Sequence, residues 1–329
     1  MRNILSLCSF TLLIVILSAV SCSSGKEYQS SKRDIKDKEL SVVSPTIVPD
    51  TFVLPDIPEV ITDTDERAKY LVSHYWDRFD FSNADLARRP EITEQAFVDF
   101  INILNYVPKA NADESLVNTL RSAEADTAMY VHFISLFEKY FYDPNSPFRN
   151  EEYYIPVLNE IARSSMLTDV SKSVYKFQLD MVKKNRVGER ANNFSYTLAS
   201  GRSYSLYDLQ SEFTILMFSN PGCPTCEAVI AQMAKSAPIN NALSRNSANR
   251  TMLTILTLYP DQDLDEWLSH LSDLPTGWVH GYDKDLKITN QRLYDIKAIP
   301  TIYLLDKDKR VLLKDTSIEA VESFFSVQH

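Results

Sequence analysis

The hydrophobic and polar positions divide the chain into four successive patterns. Residues 1–21 hold an apolar run behind the positive charge of Arg2. Residues 22–58 are polar, carry mixed charges and show no periodicity, which predicts a flexible tether. Residues 59–186 repeat apolar positions at helical spacing, whereas residues 187–329 alternate strand-like with helix-like segments. We therefore expect a targeting segment, a tether, an all-helical domain and an α/β domain.

The helical domain begins at a capping sequence and contains several short helices. The sequence from Asp63 to Glu66 is a capping box, Thr93 is expected to cap a second helix, and Pro108 is expected to end it. Further helices are predicted over residues 116–123, 127–142, 151–162 and 171–184. Aromatic residues recur at helical spacing at Trp76, Phe79, Phe81, Tyr130, Phe133, Phe137, Tyr140 and Phe141. Core packing is the simpler interpretation of this aromatic set, and a groove for a partner is the alternative.

In the α/β domain, short apolar strands alternate with helices. Strands are predicted over residues 194–198, 204–206, 213–218, 252–258, 278–281, 301–305 and 311–313. Helices are predicted over residues 223–235, 264–271, 286–294 and 318–327, and the first of them should end before Pro238. This order predicts a mixed sheet with helices on both faces.

The N-terminal segment ends in small residues and a cysteine. Ala19, Val20 and Ser21 directly precede Cys22, which resembles the lipobox of bacterial lipoproteins, where the cysteine is lipidated and becomes the new N-terminus. The resemblance implies a lipid anchor on Cys22. A secretory signal without lipid and a retained membrane anchor are the alternatives, and the apolar run is short for a membrane span.

The cysteine count leaves one pair of thiols in the mature chain. The chain contains Cys8, Cys22, Cys223 and Cys226. Cys8 would leave with the signal peptide and Cys22 would carry the lipid. Cys223 and Cys226 are then either a local disulfide or a working redox couple, because no further cysteines are present to build a disulfide framework.

Charge and histidine placement exclude two classes of function. The net charge is −10, with a pI near 5.1, and no basic stripe is present, which argues against nucleic acid as a partner. A zinc site needs four ligands, and one cysteine pair supplies only two. The histidines show no ligand spacing: His74, His132, His270, His280 and His329. We therefore predict no metal and no other cofactor.

The cysteine pair lies where a strand gives way to a helix. Cys223 should cap this helix, and Pro224 should occupy its first position, where a missing N–H costs nothing. The free amides and the helix dipole favour a thiolate on Cys223. Cys226 follows one turn later on the same face, so it can resolve a mixed disulfide formed by Cys223.

Residues 187–329 resemble the thioredoxin fold, in particular the TlpA-like, membrane-tethered proteins of bacterial cell envelopes. The C-x-x-C that opens a helix after a strand carries the resemblance, together with Ile299-Pro300-Thr301, which matches the cis-proline motif of the family. The whole chain also resembles bacterial lipoproteins that place an uncharacterised helical domain before the thioredoxin domain. The resemblance implies that Ile299 and Pro300 bind an extended substrate segment beside the dithiol, and that Pro224 and Thr225 support the motif.

The function implied by the resemblance is thiol–disulfide exchange. Cys223 would attack and Cys226 would resolve, with exported disulfide-containing proteins as substrates and a membrane electron donor as the source of reducing equivalents. The protein would be lipid-anchored in the cell envelope, would face the periplasm and would act as a reductant, as the TlpA-like group usually does. The alternative is an envelope binding or scaffold lipoprotein whose helical domain recognises a partner and whose cysteines are not catalytically important.

Two departures from the family pattern concern the dithiol itself. Gly222 stands where an aromatic residue often precedes the first cysteine, and Met217 stands where many thioredoxins carry a buried acid. The proton acceptor for Cys226 is therefore unidentified, since Glu227 is expected to be exposed. Asn220, three residues before Cys223, argues against a thiol peroxidase, which places threonine there.

Overall fold

The computed structural model describes residues 51–327. The predicted signal segment, the lipidation site at Cys22 and most of the tether lie outside the described residues. Between residues 51 and 327, none of the helices is long and apolar enough to cross a membrane. The domain boundaries drawn from the sequence stay predictions.

The first part of the described chain is helical. Its α-helices are α1 Thr64–His74, α2 Thr93–Ile103, α3 Lys109–Ala123, α4 Thr127–Phe141, α5 Glu151–Arg163 and α6 Asp169–Val182. Four of them start at side chains that accept a hydrogen bond from a first-turn amide, which satisfies a donor that the helix leaves free. These capping residues are Asp63, Asp126, Asn150 and Thr168.

The aromatic residues of the helical part form its core. Trp76 lies against Phe133, with ring centroids 5.3 Å apart in an edge-to-face arrangement that aromatic pairs prefer. Phe79 and Tyr140 are partly exposed and pack against the same core. The buried members of the set are Trp76, Phe81, Tyr130, Phe133, Phe137 and Phe141. The core interpretation of this set is confirmed.

The strands that the structure describes form one seven-stranded mixed sheet in the order β2-β1-β5-β4-β3-β6-β7. Strand β3 lies beside parallel β4 and antiparallel β6, and β4 also pairs with β5 in parallel. The strands are β1 Ser195–Thr197, β2 Ser203–Ser205, β3 Phe213–Phe218, β4 Leu253–Tyr259, β5 Val279–Tyr282, β6 Thr301–Asp306 and β7 Val311–Leu313. This sheet confirms the predicted α/β fold class.

Two apolar layers cover the faces of the sheet. One layer contains residues of α7 Pro224–Lys235, α8 Ala237–Ser244 and α11 Ile318–Val327. The other includes residues of α10 Lys287–Asn290. A further helix, α9 Leu264–Ser269, contributes Trp267, which is buried against Tyr282 of β5.

Four helix predictions need correction. Thr93 does not cap α2 but is its first residue, because Ile92 occupies the N-cap position and the Thr93 hydroxyl donates to the Leu86 carbonyl at 2.6 Å.

Backbone chemistry explains the other three corrections. The helix predicted over residues 116–123 is longer, because Pro108 serves as the N-cap of α3 and this helix starts at Lys109. The pattern before Pro238 does end α7, but α8 follows at once with this proline in its first turn, where no N–H is needed. The helix predicted over residues 286–294 is limited to α10, because Leu286 and Arg292 have positive φ angles of 51° and 50°.

Polar contacts join the helical part to the sheet part, and the two belong to the same structural unit. The Lys314 ammonium donates to the carbonyls of Val182 and Lys184, at 2.9 and 2.7 Å. Lys297, which precedes β6, forms an ion pair with Glu151 at the start of α5, and both side chains are at least nine-tenths buried. The segment before β6 is therefore fixed against the helical part.

Candidate active site

Strand β3 and the turn after it fix the start of α7. All of β3 after its first residue is buried, and the Ser219 amide continues the pairing with β4 by donating to the Leu258 carbonyl at 3.0 Å. The chain then reverses at Gly222, whose φ of +64° lies in the left-handed region. This conformation strains side chains other than glycine, so the backbone explains why no aromatic residue precedes Cys223.

Cys223 caps α7 and is partly exposed. Its Sγ accepts a hydrogen bond from the Cys226 amide at 3.3 Å and lies 4.0 Å from the Ile299 carbonyl, to which the thiol can donate. A free amide at a helix N-terminus is a favourable partner for a negatively charged sulfur. Cys223 is thus the more accessible thiol of the pair, and its sulfur accepts a hydrogen bond from a first-turn amide of α7.

Cys226 is buried one turn further along α7, with 1% of its surface exposed. It belongs to an apolar cluster that includes Met217 and Ile230. Burial raises the pKa of the Cys226 thiol to about 12, the hydrogen bond with Cys223 adds to this, and a backbone hydrogen bond at Asn220 works in the opposite direction. Cys226 therefore stays protonated at neutral pH and must lose its proton in order to attack.

The segment before β6 forms the wall opposite the dithiol. The Ile299–Pro300 peptide bond is cis, which confirms the sequence prediction. Thr301 follows as the first residue of β6 and pairs with Phe218, the last residue of β3. The start of β6 and the end of β3 therefore meet close to Cys223. Ile299 and Pro300 are partly exposed there. Their substrate-binding role stays a prediction.

The other residues of the motif lie at the surface. Pro224 is the first residue of α7, and Thr225 beside it is also exposed. Glu227 is exposed as expected, and its amide donates to the Cys223 carbonyl at 3.0 Å. The Glu227 carboxylate and the Thr225 hydroxyl are therefore not buried next to Cys226.

Two cavities flank the dithiol and share Asn220. The first, of about 310 Å³, is lined by Cys226 and Ile230 of α7, Thr257 of β4 and Trp267 of α9. The second, of about 640 Å³, lies between the helical part and the sheet part, and its lining includes Tyr142, Phe177, Ile299 and Lys297. Asn220 Oδ1 is buried, with no hydrogen-bond partner among the described residues.

Thr257 and His280 form a polar pair beside the first cavity that the sequence did not predict. Thr257 Oγ1 lies 2.7 Å from His280 Nδ1, and His280 Nε2 lies 3.0 Å from the Pro275 carbonyl. In the sequence, His280 is one of five scattered histidines, and its partner is 23 residues away on another strand. Only the pairing of β4 with β5 brings the two side chains together. Across residues 51–327, no three His, Cys, Asp or Glu side chains group as metal ligands.

Two family profiles match this chain in succession. Residues 21–185 match a domain of unknown function, DUF5106, and residues 211–311 match a thioredoxin-like family. The first covers the helical part and the second the dithiol and the segment before β6. No curated protein matches the chain.

Solved structures from Bacteroides species are similar to the chain. A thioredoxin-like protein from Bacteroides caccae is 42% identical over 86% of this chain and 100% of that chain, with a TM-score of 0.81. The C-terminal domain of an uncharacterized protein from Bacteroides fragilis is 45% identical over 43% of this chain and 98% of that chain, with a TM-score of 0.41. The thioredoxin domain of a thiol-disulfide oxidoreductase from Bacteroides vulgatus is 17% identical, covers 44% and 97% of the two chains, and has a TM-score of 0.38.

Proposed function

The chain belongs to the proteins that join a DUF5106 domain to a thioredoxin-like domain, and on that premise we propose that it is a thiol–disulfide oxidoreductase. Cys223 attacks a disulfide of the substrate, and Cys226 resolves the mixed disulfide. One observation carries this proposal. A partly exposed thiol caps a helix and accepts an amide hydrogen bond at 3.3 Å, while its partner thiol is buried one turn behind it. A purely structural disulfide does not require one sulfur that is accessible to solvent and one that is buried.

The substrate segment binds along the wall that Ile299 and Pro300 form. The Ile299 carbonyl is 4.0 Å from Cys223 Sγ, so a peptide that pairs with this backbone edge brings its own sulfur next to the nucleophile. The larger cavity begins at Ile299 and extends to Tyr142 and Phe177 of the helical part. Residues on either side of the substrate cysteine can occupy it, which gives the helical part a role in substrate choice.

The proposed direction is reductive, and the proposed location is the cell envelope. Both rest on the sequence: the lipobox-like residues before Cys22 support a lipid anchor, and the resemblance to the TlpA-like group supports a reductant that faces the periplasm. The substrates are then exported proteins with disulfides, and a membrane electron donor returns the Cys223–Cys226 disulfide to the dithiol.

Reduction of insulin by dithiothreitol tests the activity. The assay uses the full chain with Cys8→Ser and Cys22→Ser, hereafter the two-thiol chain, in which Cys223 and Cys226 are the remaining thiols. We expect this chain to accelerate precipitation of the insulin B chain, and we expect Cys223→Ser added to it to restore the rate of dithiothreitol alone. An uncatalysed rate for the two-thiol chain itself would refute the proposed activity.

The Cys226→Ser form of the two-thiol chain separates this proposal from the scaffold alternative. Without Cys226, a mixed disulfide on Cys223 is not resolved and substrates stay attached until a reductant is added. The variant is incubated with an extract of envelope proteins and recovered. Proteins that a reductant then releases from it, and that are absent when Cys223 is also replaced, support exchange. The scaffold alternative predicts the same partners on a variant that lacks both cysteines.

A further inference from the structure

We propose that Thr257 and His280 accept the proton of Cys226 when this thiol resolves the mixed disulfide. They take the place of the buried acid that Met217 replaces in this chain. The inference rests on the proposed exchange reaction, because resolution by Cys226 is one of its steps. It assigns a proton path to a site whose own motif residues offer no buried base.

Strand pairing places the pair on the face of the sheet that Cys226 covers. Met217 of β3 is opposite Thr257 of β4, and Thr257 is opposite His280 of β5. Residues paired in this way share one face of a sheet, since side chains alternate along each strand. Met217 packs in the same cluster as Cys226. The side chains of Met217, Thr257 and His280 therefore form a row across the sheet, which begins in the apolar cluster that contains Cys226 and ends at His280.

The hydrogen bonds of His280 define which ring nitrogen can take a proton. Its Nε2 is 3.0 Å from the Pro275 carbonyl, which can only accept, so Nε2 carries the hydrogen. Nδ1 is then unprotonated and accepts from Thr257 Oγ1 at 2.7 Å. The Thr257 hydroxyl can pass its own hydrogen to Nδ1 while it accepts another from the cavity side.

The smaller cavity connects this pair with Cys226. Cys226, Thr257 and Pro275 all line it. Its volume of about 310 Å³ has room for several water molecules, each of which takes roughly 30 Å³ in the liquid. Thr257 Oγ1 and Asn220 Oδ1, which finds no hydrogen-bond partner within residues 51–327, offer polar anchors for such water. Solvent in the cavity can thus carry a proton from the buried thiol to the hydroxyl.

His280 is a better internal base than the other titratable groups around the cavity. Glu227 and Asp273 line it but are exposed to solvent, and His270 is more than one-third exposed at the surface next to Glu266. Burial lowers the pKa of His280, while its hydrogen bond to the Pro275 carbonyl raises it by less. The imidazole is therefore neutral near pH 7 and free to accept a proton.

Protons and electrons balance in the resolution step. Cys226 gives its proton to cavity solvent, solvent gives one to Thr257 Oγ1, and Thr257 gives its own to His280 Nδ1. The Cys226 sulfur forms a bond to Cys223 Sγ while the bond between Cys223 and the substrate sulfur breaks. The substrate sulfur leaves as a thiolate with the electron pair, and His280 later returns its proton to solvent. Two electrons have passed from the dithiol to the substrate disulfide.

A single-turnover reaction with one equivalent of 5,5′-dithiobis(2-nitrobenzoic acid) separates attack from resolution. Attack by Cys223 releases the first coloured thiolate in a bimolecular phase. Resolution by Cys226 releases the second in a phase whose rate does not depend on reagent concentration. The two-thiol chain serves as the parent for every variant, and stopped-flow absorbance gives both rates between about pH 6 and pH 9.

Thr257→Val and His280→Asn should slow the second phase and change its pH dependence. Valine keeps the shape of threonine without the hydroxyl, and asparagine keeps a hydrogen-bond acceptor that does not take a proton. We expect the second phase at about pH 7 to be at least about 100-fold slower, within the usual range for loss of a general base. The parent should reach a plateau above the pKa of His280. The variants should rise about tenfold per pH unit, because only the thiolate fraction of Cys226 then reacts.

Two matched control variants distinguish a general structural effect of the substitutions from the loss of the proton path. Thr214→Val removes a fully buried hydroxyl from neighbouring β3, and His270→Asn removes a histidine from the same cavity. Both should keep the second-phase plateau. If Thr257→Val and His280→Asn also keep it, or if His270→Asn alone loses it, the proposed path is wrong. Absence of the first phase in the parent would instead refute the exchange reaction itself.

Discussion

Cys223→Ser is expected to abolish disulfide exchange, whereas Cys226→Ser is expected to keep the first half of the reaction and stop there. The reason is the difference in access between the two sulfurs. Cys223 is partly exposed at the helix start, while Cys226 is 1% exposed and its pKa is raised to about 12, chiefly by burial. A buried, protonated thiol attacks a protein disulfide only after the substrate sulfur has been brought onto Cys223.

Intact-mass measurement after mixing with a disulfide-linked peptide checks this asymmetry. The Cys226→Ser form of the two-thiol chain should gain the mass of one peptide half and retain it until a reductant is added. The Cys223→Ser form should gain none at the same concentration. Equal labelling of both variants, or stable labelling of Cys226 alone, would contradict the assignment of the nucleophile. Circular dichroism of Cys223→Ser should match the parent and so exclude unfolding.

Lys297→Met is expected to cause a large loss of stability. The Lys297 side chain is 7% exposed and pairs with Glu151, with Asp295 at 3.4 Å and with Asp315 at 3.7 Å. Its removal takes away the cation that all three buried carboxylates share, although Glu151 still pairs with Lys314 at 2.6 Å and Asp315 with Arg149 at 3.2 Å. Removing one partner of a buried ion pair costs about 3–5 kcal/mol, so we expect the free energy of unfolding in urea to fall by about that amount.

The pH dependence of this loss has a defined sign. Burial lowers the pKa of Lys297, but Glu151, Asp295 and Asp315 together outweigh burial and raise it. As long as these carboxylates are ionised, the contribution of Lys297 is therefore complete below its unfolded pKa of 10.5 and declines as the pH rises through the higher folded value. Burial also raises the pKa of Asp295 and of Asp315. The deficit of Lys297→Met should thus shrink in acid, where these carboxyls become neutral.

An exposed lysine provides the control for this comparison. Lys284→Met removes a surface ammonium from the same half of the chain, and its expected effect is below about 0.5 kcal/mol. A similar small effect for Lys297→Met would mean that the ion cluster contributes no net stability. Because Lys297 is two residues before Ile299, we also expect its loss to loosen the wall beside Cys223 and to slow exchange.

The dithiol is predictable from the sequence because its signals are local, whereas the wall is predictable only through a family resemblance. A buried strand, a C-x-x-C and a proline at the first helical position predict the start of α7 without knowledge of the rest of the fold. Ile299-Pro300 lies far away in the chain, and it was located through a family resemblance. Pro238 alone does not predict α8, since proline ends one helix and starts the next equally well.

The proton path could not be predicted because it depends on strand register. Thr257 and His280 each sit in an apolar strand pattern with no motif around them, and their contact follows from the parallel pairing of β4 with β5. The sequence does indicate that the usual buried proton acceptor for Cys226 is missing. Met217 stands where many thioredoxins carry an acid, and the base that we propose lies on two other strands. Similarly, the positive φ of Gly222 is the structural reason for its departure from the family pattern, and φ cannot be read from the sequence.

A redox titration of the two-thiol chain tests the central claim most directly. The chain is equilibrated in dithiothreitol buffers and in glutathione buffers of graded ratio, which together cover the strongly and the weakly reducing range. It is then quenched with acid and analysed by mass for the disulfide between Cys223 and Cys226. We predict a single two-electron transition at a potential more negative than about −200 mV, on the reducing side of the known range. Chains with Cys223→Ser or Cys226→Ser should show no transition. Failure of the parent chain to form this disulfide at any ratio would contradict the account, and a potential near about −120 mV would contradict the reductive direction.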